Sequence, residues 1–168
     1  MDVGHQRGFT LIELLIVVAI IGIIGAIAVP GLLRARMSGN EASAVGSMRT
    51  ITSAEAAYSS SAGGGYAVDL AVLATPCAGG TEGFISPDLA TNGVVKSGYT
   101  VSLAPVTGGK AIAADCNGTA SQSGYFATAT PVNVGTTGQR AFATGPSGTI
   151  FFTLDGTVPP QTGGVPLQ

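Results

Sequence analysis

Tryptophan is absent from the 168 residues, histidine occurs once, cysteine twice, and charged side chains make up only 10% of the chain. Each scarcity removes a class of function. His5, Cys77 and Cys116 cannot supply a four-ligand metal set, so no metal and no cofactor are expected. Seven Lys and Arg against nine Asp and Glu leave a formal charge of -2, which gives no general attraction to nucleic acid, phosphate or anionic lipid. Arg34, Arg36, Arg49, Lys96, Lys110 and Arg140 form no basic cluster interleaved with aromatics, so no specific nucleic-acid site is expected. A phosphate-binding loop is also missing. Asp69, Asp88, Asp115 and Asp155 are scattered through predicted turns, where side-chain capping is the usual task of such residues, and no EF-hand spacing joins them. The chain is therefore not expected to be an enzyme. So little charge beside so much Gly, Ala, Ser and Thr is unusual for a soluble monomer. Much of the surface is expected to face lipid or other protein.

What is present is a long apolar run. From Leu14 through Leu33 no residue is charged, and a 20-residue helix rises about 30 Å, the thickness of a bilayer core. A buried helix of a soluble protein is one alternative. A cleaved secretory signal is another, since Ala26-Ile27-Ala28 has the small-x-small form of a cleavage site. Such signals, however, have apolar cores of about 7 to 15 residues behind a clearly basic start. Here the run is longer, and only Arg7 and His5 stand against Asp2. Charge does not orient the span either, because Arg34 and Arg36 after it outnumber Arg7 before it.

The segment Arg7-Gly8-Phe9-Thr10-Leu11-Ile12-Glu13, running into an apolar helix that reaches Pro30, resembles the class III signal of type IV pilins and pseudopilins. The resemblance is close over about the first 30 residues and holds only in outline beyond them. It implies a leader, residues 1–8, cut between Gly8 and Phe9 by a prepilin peptidase, with Phe9 then N-methylated. The mature chain would lack His5, and with it any Ser-His-Asp arrangement. It would sit once through the inner membrane with its head in the periplasm, and would end in a cell-surface pilus. The resemblance also accounts for Glu13 within an apolar segment. Its carboxylate would face the amino group of Phe9 on a neighbouring subunit, so that a misaligned neighbour leaves two charges buried alone. A plainer alternative is a carboxylate at the positive end of the helix dipole. Gly22, Gly25 and Pro30 weaken the helix locally. Gly22 to Pro30 is thus the expected site of a flexible or extended stretch in a filament, with a kinked helix as the alternative for an isolated subunit.

Beyond the span, Val45, Met48, Ile51, Ala54 and Tyr58 recur every three or four residues. They form one apolar helical stripe from which Arg49 and Glu55 can point away. The run of serines and glycines from Ser59 to Gly65 ends the helix. A short helical turn is expected within Tyr66–Leu73, and strands over Gly98–Ala104, Gly124–Thr130, Gln139–Thr144 and Thr149–Thr153. In an exported chain Cys77 and Cys116 point to one disulfide, tying the connecting region to the first hairpin of the sheet. Two free thiols are the alternative.

The expected fold class is α+β: a long N-terminal α-helix, membrane-spanning in its first half and amphipathic in its second, packed on a C-terminal antiparallel β-sheet head. The expected division is 1–8 leader, 9–33 transmembrane and assembly helix, 34–62 amphipathic continuation, and 63–168 head. The resemblance implies a structural subunit of a type IV pilus used for adhesion or motility, homo-oligomeric in a helical filament. Its partners would be the prepilin peptidase, the inner membrane, and the pilus assembly platform and motor. A pseudopilin of a type II secretion system shares the same signal, and a secreted binding domain with a conventional signal peptide is a third reading.

Overall fold

A computed structural model describes residues 8–167, which places His5, Arg7 and the leader up to residue 7 outside the described residues. Helix α1 runs over Leu11–Ser61, two residues short of the expected start at Phe9. The chain divides into two compact units, and the second begins at Met37, inside this helix.

In the second unit α1 buries Glu41, Ala44, Ser47, Met48, Ile51, Ala54, Glu55 and Tyr58. Most of the expected stripe is there, although Ala44 lies deeper than Val45. Glu55 departs from expectation: it is fully buried rather than turned outward, because it follows Met48 by seven residues and so returns to the same face of the helix. Arg49 is exposed, as expected. The helix stops where Gly63 takes φ +60°, and the Gly64 N–H reaches back to the Ser59 carbonyl at 2.9 Å. This is the closure that a left-handed glycine permits.

The head carries eight strands: β1 (Val94–Lys96), β2 (Tyr99–Pro105), β3 (Ala111–Ala114), β4 (Ala120–Gln122), β5 (Tyr125–Pro131), β6 (Ala141–Thr144), β7 (Ile150–Thr153) and β8 (Val165–Pro166). Six form one sheet in the order β1-β2-β5-β6-β7-β8, antiparallel throughout, while β3 and β4 form a separate two-stranded sheet. Alternation in β2 turns Tyr99, Val101 and Leu103 inward, and in β5 it does the same for Tyr125, Ala127 and Ala129. These residues join Met48, Ile51 and Tyr58 of α1 in a single core. The four strands expected from the sequence are β2, β5, β6 and β7, each with an edge shifted by one or two residues. The helical turn expected before residue 74 is α2 (Leu70–Ala74), capped by the Asp69 side chain on the Val72 N–H and burying Leu70 and Leu73.

Cys77 and Cys116 are joined, with their Cα atoms 5.4 Å apart. Cys116 lies in the turn between β3 and β4, so the bridge reaches the small sheet rather than a simple hairpin of the large one. The reason is that the stretch between β2 and β5 folds into its own ribbon instead of remaining a loop. Converting both cysteines to serine is expected to lower stability by about 2 to 4 kcal/mol, measured by denaturant unfolding of the detergent-solubilised chain. An unchanged midpoint would show that the bridge only decorates the loop.

Candidate assembly site

Three features of the first unit bear on function: its start, its acid and its bare flank. Gly8 and Phe9 precede the helix, and Phe9 is 84% exposed. Thr10 and Glu13 then close the first turn on each other. The Thr10 N–H donates to Glu13 Oε2 at 2.9 Å, the Thr10 hydroxyl donates to the same oxygen at 2.6 Å, and the Glu13 N–H donates to Thr10 Oγ1 at 3.3 Å. This reciprocal pattern is a capping box, which satisfies N–H groups that a helix start otherwise leaves open. The sequence reading assigned no role to Thr10, although the signal was present as Thr followed three residues later by Glu. Glu13 thus has a local partner in the uncut chain.

From Leu11 to Leu33 the large aliphatic side chains are about half exposed or more, and none of the most apolar 18-residue window is buried. By length and composition this helix can cross a membrane. Gly22, Gly25 and Pro30 all lie inside α1. In this isolated subunit the helix is continuous through all three. Proline costs a helix one hydrogen bond and glycine about 1 kcal/mol, but the flanking Ile, Ala and Leu favour the helix. Such residues are tolerated in spanning segments. A Cβ added at Gly22 or Gly25 would meet nothing within 4 Å, so both are open to a neighbour.

In the second unit α1 is fixed to the sheet at two levels. Glu41 Oε1 accepts the Gln139 and Arg140 N–H groups at 3.0 and 3.1 Å, while Oε2 takes Arg140 Nε at 2.8 Å and Nη2 at 2.7 Å. Burial pushes the Glu41 carboxyl up, but those two N–H groups and the guanidinium outweigh it and hold the acid below its ordinary range. The same guanidinium lies 5.5 Å from the ring centres of Phe142 and Phe152. Further along the helix, the Tyr58 hydroxyl donates to Asp115 Oδ2 at 3.0 Å, and Asp115 Oδ1 accepts the Asn117 and Thr119 N–H groups. Burial first, and then the bond to Asp115, push the Tyr58 phenol up.

Between these levels Glu55 Oε2 accepts the Ala67 N–H at 3.0 Å, and Oε1 has no partner. Burial raises its pKa to about 8, against a smaller lowering by the Ala67 bond. Among the described residues no group of three or more His, Cys, Asp or Glu could hold a metal ion.

Residues 4–29 match the family described as the prokaryotic N-terminal methylation motif. The chain is 43% identical over 54 residues to the type IV major pilin protein PilA of Myxococcus xanthus, covering 32% of this chain and 24% of that one. It is 57% identical over 37 residues to the type IV wide pilus major component PilA4 of Thermus thermophilus, covering 22% of this chain and 28% of that one. The similarity thus spans about a quarter of the length of these relatives. No solved structure matches the chain.

Proposed function

We propose that the chain is a member of the type IV pilin and pseudopilin family and a structural subunit of a type IV pilus, a reading supported by the N-terminal methylation motif at residues 4–29 and by its similarity to two pilins. Leu14–Leu33 anchors it in the inner membrane with its head in the periplasm. A prepilin peptidase cuts between Gly8 and Phe9, and Phe9 is methylated. The assembly platform and a cytoplasmic motor then extract the subunit, which polymerises through its N-terminal helix. The working division is leader 1–8, assembly helix 9–33, amphipathic continuation 34–62 and head 63–168.

One observation carries this reading: a methylation-type N-terminus leads into an apolar helix whose side chains are bare of contacts within their own chain. Lipid covers that surface before assembly, and sister helices cover it afterwards. A head-to-tail contact that does not close into a ring keeps adding copies and yields an open filament. Both relatives carry names of pilus components, which favours a pilus over a secretion apparatus.

The test is to shear filaments from cells and determine the N-terminal peptide of this chain by mass spectrometry. A peptide beginning at Phe9 and heavier by one methyl group supports the proposal. A start after Ala28, or absence of the chain from filaments, overturns it. Gly8→Val offers a second check. A Cβ at Gly8 meets nothing within 4 Å, so the fold is untouched and a defect reports on recognition by the peptidase. Immunoblots are expected to show only the uncut precursor, whereas normal trimming would remove Gly8 from the cleavage site.

A further inference from the structure

The head presents large apolar side chains to solvent at both ends of its main sheet. Strands β2 and β5 pair with Tyr99 opposite Pro131 at one end and Pro105 opposite Tyr125 at the other, and strands of this length span about 20 Å. Ala141 and Thr153, which face each other across β6 and β7, fall at the Pro131 end. The chain leaves that end carrying Val132 (47% exposed), Val134 (51%) and Leu154 (68%). They sit on two loops that touch. The Gln139 side-chain amide donates to the Leu154 carbonyl at 3.0 Å, and a Cβ built on Gly156 would fall 2.5 Å from Val134 Cγ2. Leu154 and Asp155 also border an open groove of about 470 Å³. Single exposed aliphatic residues are ordinary, whereas several on adjoining loops mark a contact surface.

The Pro105 end carries the ribbon of β3 and β4. Lys110 is fixed there by Ser123, just ahead of β5: its N–H donates to Ser123 Oγ at 2.9 Å, and its carbonyl accepts the Ser123 N–H at 2.8 Å. All four residues of β3 are exposed, Ile112 at 44%. Only β4 pairs with β3, so the outer edge of the ribbon is open, and an open apolar edge is a template for another chain. The two ends differ in charge. Lys96 is bound to Asp88 and Arg140 to Glu41, whereas Lys110 has no ion-pair partner among the described residues. Asp155 Oδ1 accepts the Thr157 hydroxyl at 2.7 Å and the Thr157 N–H at 3.1 Å. Those bonds, the hydroxyl's first, hold its carboxyl below the ordinary range, and no described cation pairs with it. Arg34 and Arg36 are also unpaired but belong to the first unit. Arg49 and Glu82 are unpaired in the head, yet no large exposed apolar side chain accompanies them, since none lies between Leu33 and Val95.

An apolar end with a free anion and an apolar end with a free cation are complementary surfaces of one chain. Being different surfaces, they make a heterologous contact, which keeps adding copies unless it closes into a ring. We infer that each end is covered by the head of a second copy: Ile112 on the β3 edge of one copy packs against Val132, Val134 and Leu154 of the next, with Lys110 beside Asp155. The inference deepens the filament reading proposed above and rests on it. Lys96 and Lys110 are the only lysines in the chain, so a zero-length carbodiimide cross-linker, which joins an amine to a carboxylate where the two touch, can read the contact in unaltered protein. Sheared filaments and the detergent-solubilised subunit would be treated alike, digested and mapped by mass spectrometry. The Lys96–Asp88 ion pair serves as the reference within one chain.

The inference expects a Lys96–Asp88 link in both samples and a Lys110–Asp155 link in filaments alone. Filaments that contain the chain and its Lys96–Asp88 link, but leave Lys110 unlinked or join it to Glu82, overturn the contact while the filament reading stands. A Lys110–Asp155 link as abundant in the solubilised subunit would lie within one chain and likewise overturn it. Absence of the chain from filaments overturns both. Leu154→Asp supplies a second readout, because the side chain is exposed and the change places an unpaired charge in the contact. Its unfolding midpoint should match wild type while the yield of sheared filaments falls about tenfold. A wild-type yield would show that the Leu154 end is left uncovered in the filament.

Discussion

Glu13→Gln subunits are expected to enter the membrane and be trimmed normally, yet to give roughly a hundredfold fewer filaments than wild type. The choice of glutamine matters, because Glu13 does two things that alanine would remove together. Its bonds with Thr10 complete the first helical turn, and glutamine can keep that capping box. What glutamine would not keep is the negative charge that, in the proposed assembly, pairs with the amino group of Phe9 on the next subunit. Removing one member of a buried ion pair costs about 3 to 5 kcal/mol, while loss of a cap costs only about 1 kcal/mol. Thr10→Val provides the converse: it removes the hydroxyl cap and retains the charge, so its filament yield should fall only slightly. Sheared filament protein measured against total trimmed subunit reads both variants. Glu13→Gln assembling as well as wild type, with Thr10→Val defective, would reduce Glu13 to a local helix-start residue.

The second large effect concerns pH. In the folded head the Glu55 pKa is raised to about 8 from the ordinary 4.5, chiefly by burial. Between those values the folded chain keeps a proton that the unfolded chain has released. The Glu55 contribution to stability is therefore full near and below pH 4.5 and falls as pH rises, by up to about 1.4 kcal/mol per unit, until Glu55 ionises near pH 8. The full loss from Glu55 is on the order of 5 kcal/mol. Glu55→Gln preserves an acceptor for the Ala67 N–H and cannot ionise. It should match wild type at pH 5 and exceed it clearly at pH 9 in denaturant unfolding of the detergent-solubilised chain. Parallel curves for the two proteins across that range would show that Glu55 is charged in the folded head at neutral pH.

Glu55 also shows where the sequence was readable and where it was not. Met48 and Glu55 are seven apart, as are Ile51 and Tyr58, and this spacing brings all four to one face of α1. The spacing marks this position as buried, while the residue type points the other way, because a carboxylate is ordinarily found in water. The N-terminal segment was legible for the opposite reason. Gly8, Phe9 and Glu13 before a charge-free run form a specific pattern that matches a known family over residues 4–29. Thr10 lies in the same stretch, and its spacing of three to Glu13 is the capping signal that the carboxylate's reach to the backbone fulfils.

In the head, β2 declared itself through Tyr99, Val101 and Leu103. β5 did so faintly, since Ala127 and Ala129 are small residues with little hydrophobic signal. Strands β1, β3, β4 and β8 have two to four residues each, and β3 has every side chain exposed. They are too short for alternation to announce them, even though β1 and β3 each pair with the next strand in the chain. The Cys77–Cys116 pairing was legible as a pair, but the ribbon that carries Cys116 was not.

The last buried turn of α1 is bonded through Tyr58 to Asp115, whose chain neighbour Cys116 is bridged to Cys77. The opposite end of the contact relies on Glu41 and its bonds to Gln139 and Arg140, with Asn40 donating to the Thr137 carbonyl and Ser43 to the Ser97 hydroxyl beside it. When a fibre of such subunits is pulled lengthwise, the helix is held at one end by the Glu41 cluster and at the other by Tyr58, whose partner Asp115 sits in a turn that the neighbouring disulfide stiffens. Peeling under tension would start at the Glu41 end and slow at Tyr58, where the bridged turn keeps its partner in place and lets the subunit zip closed again once the load is released.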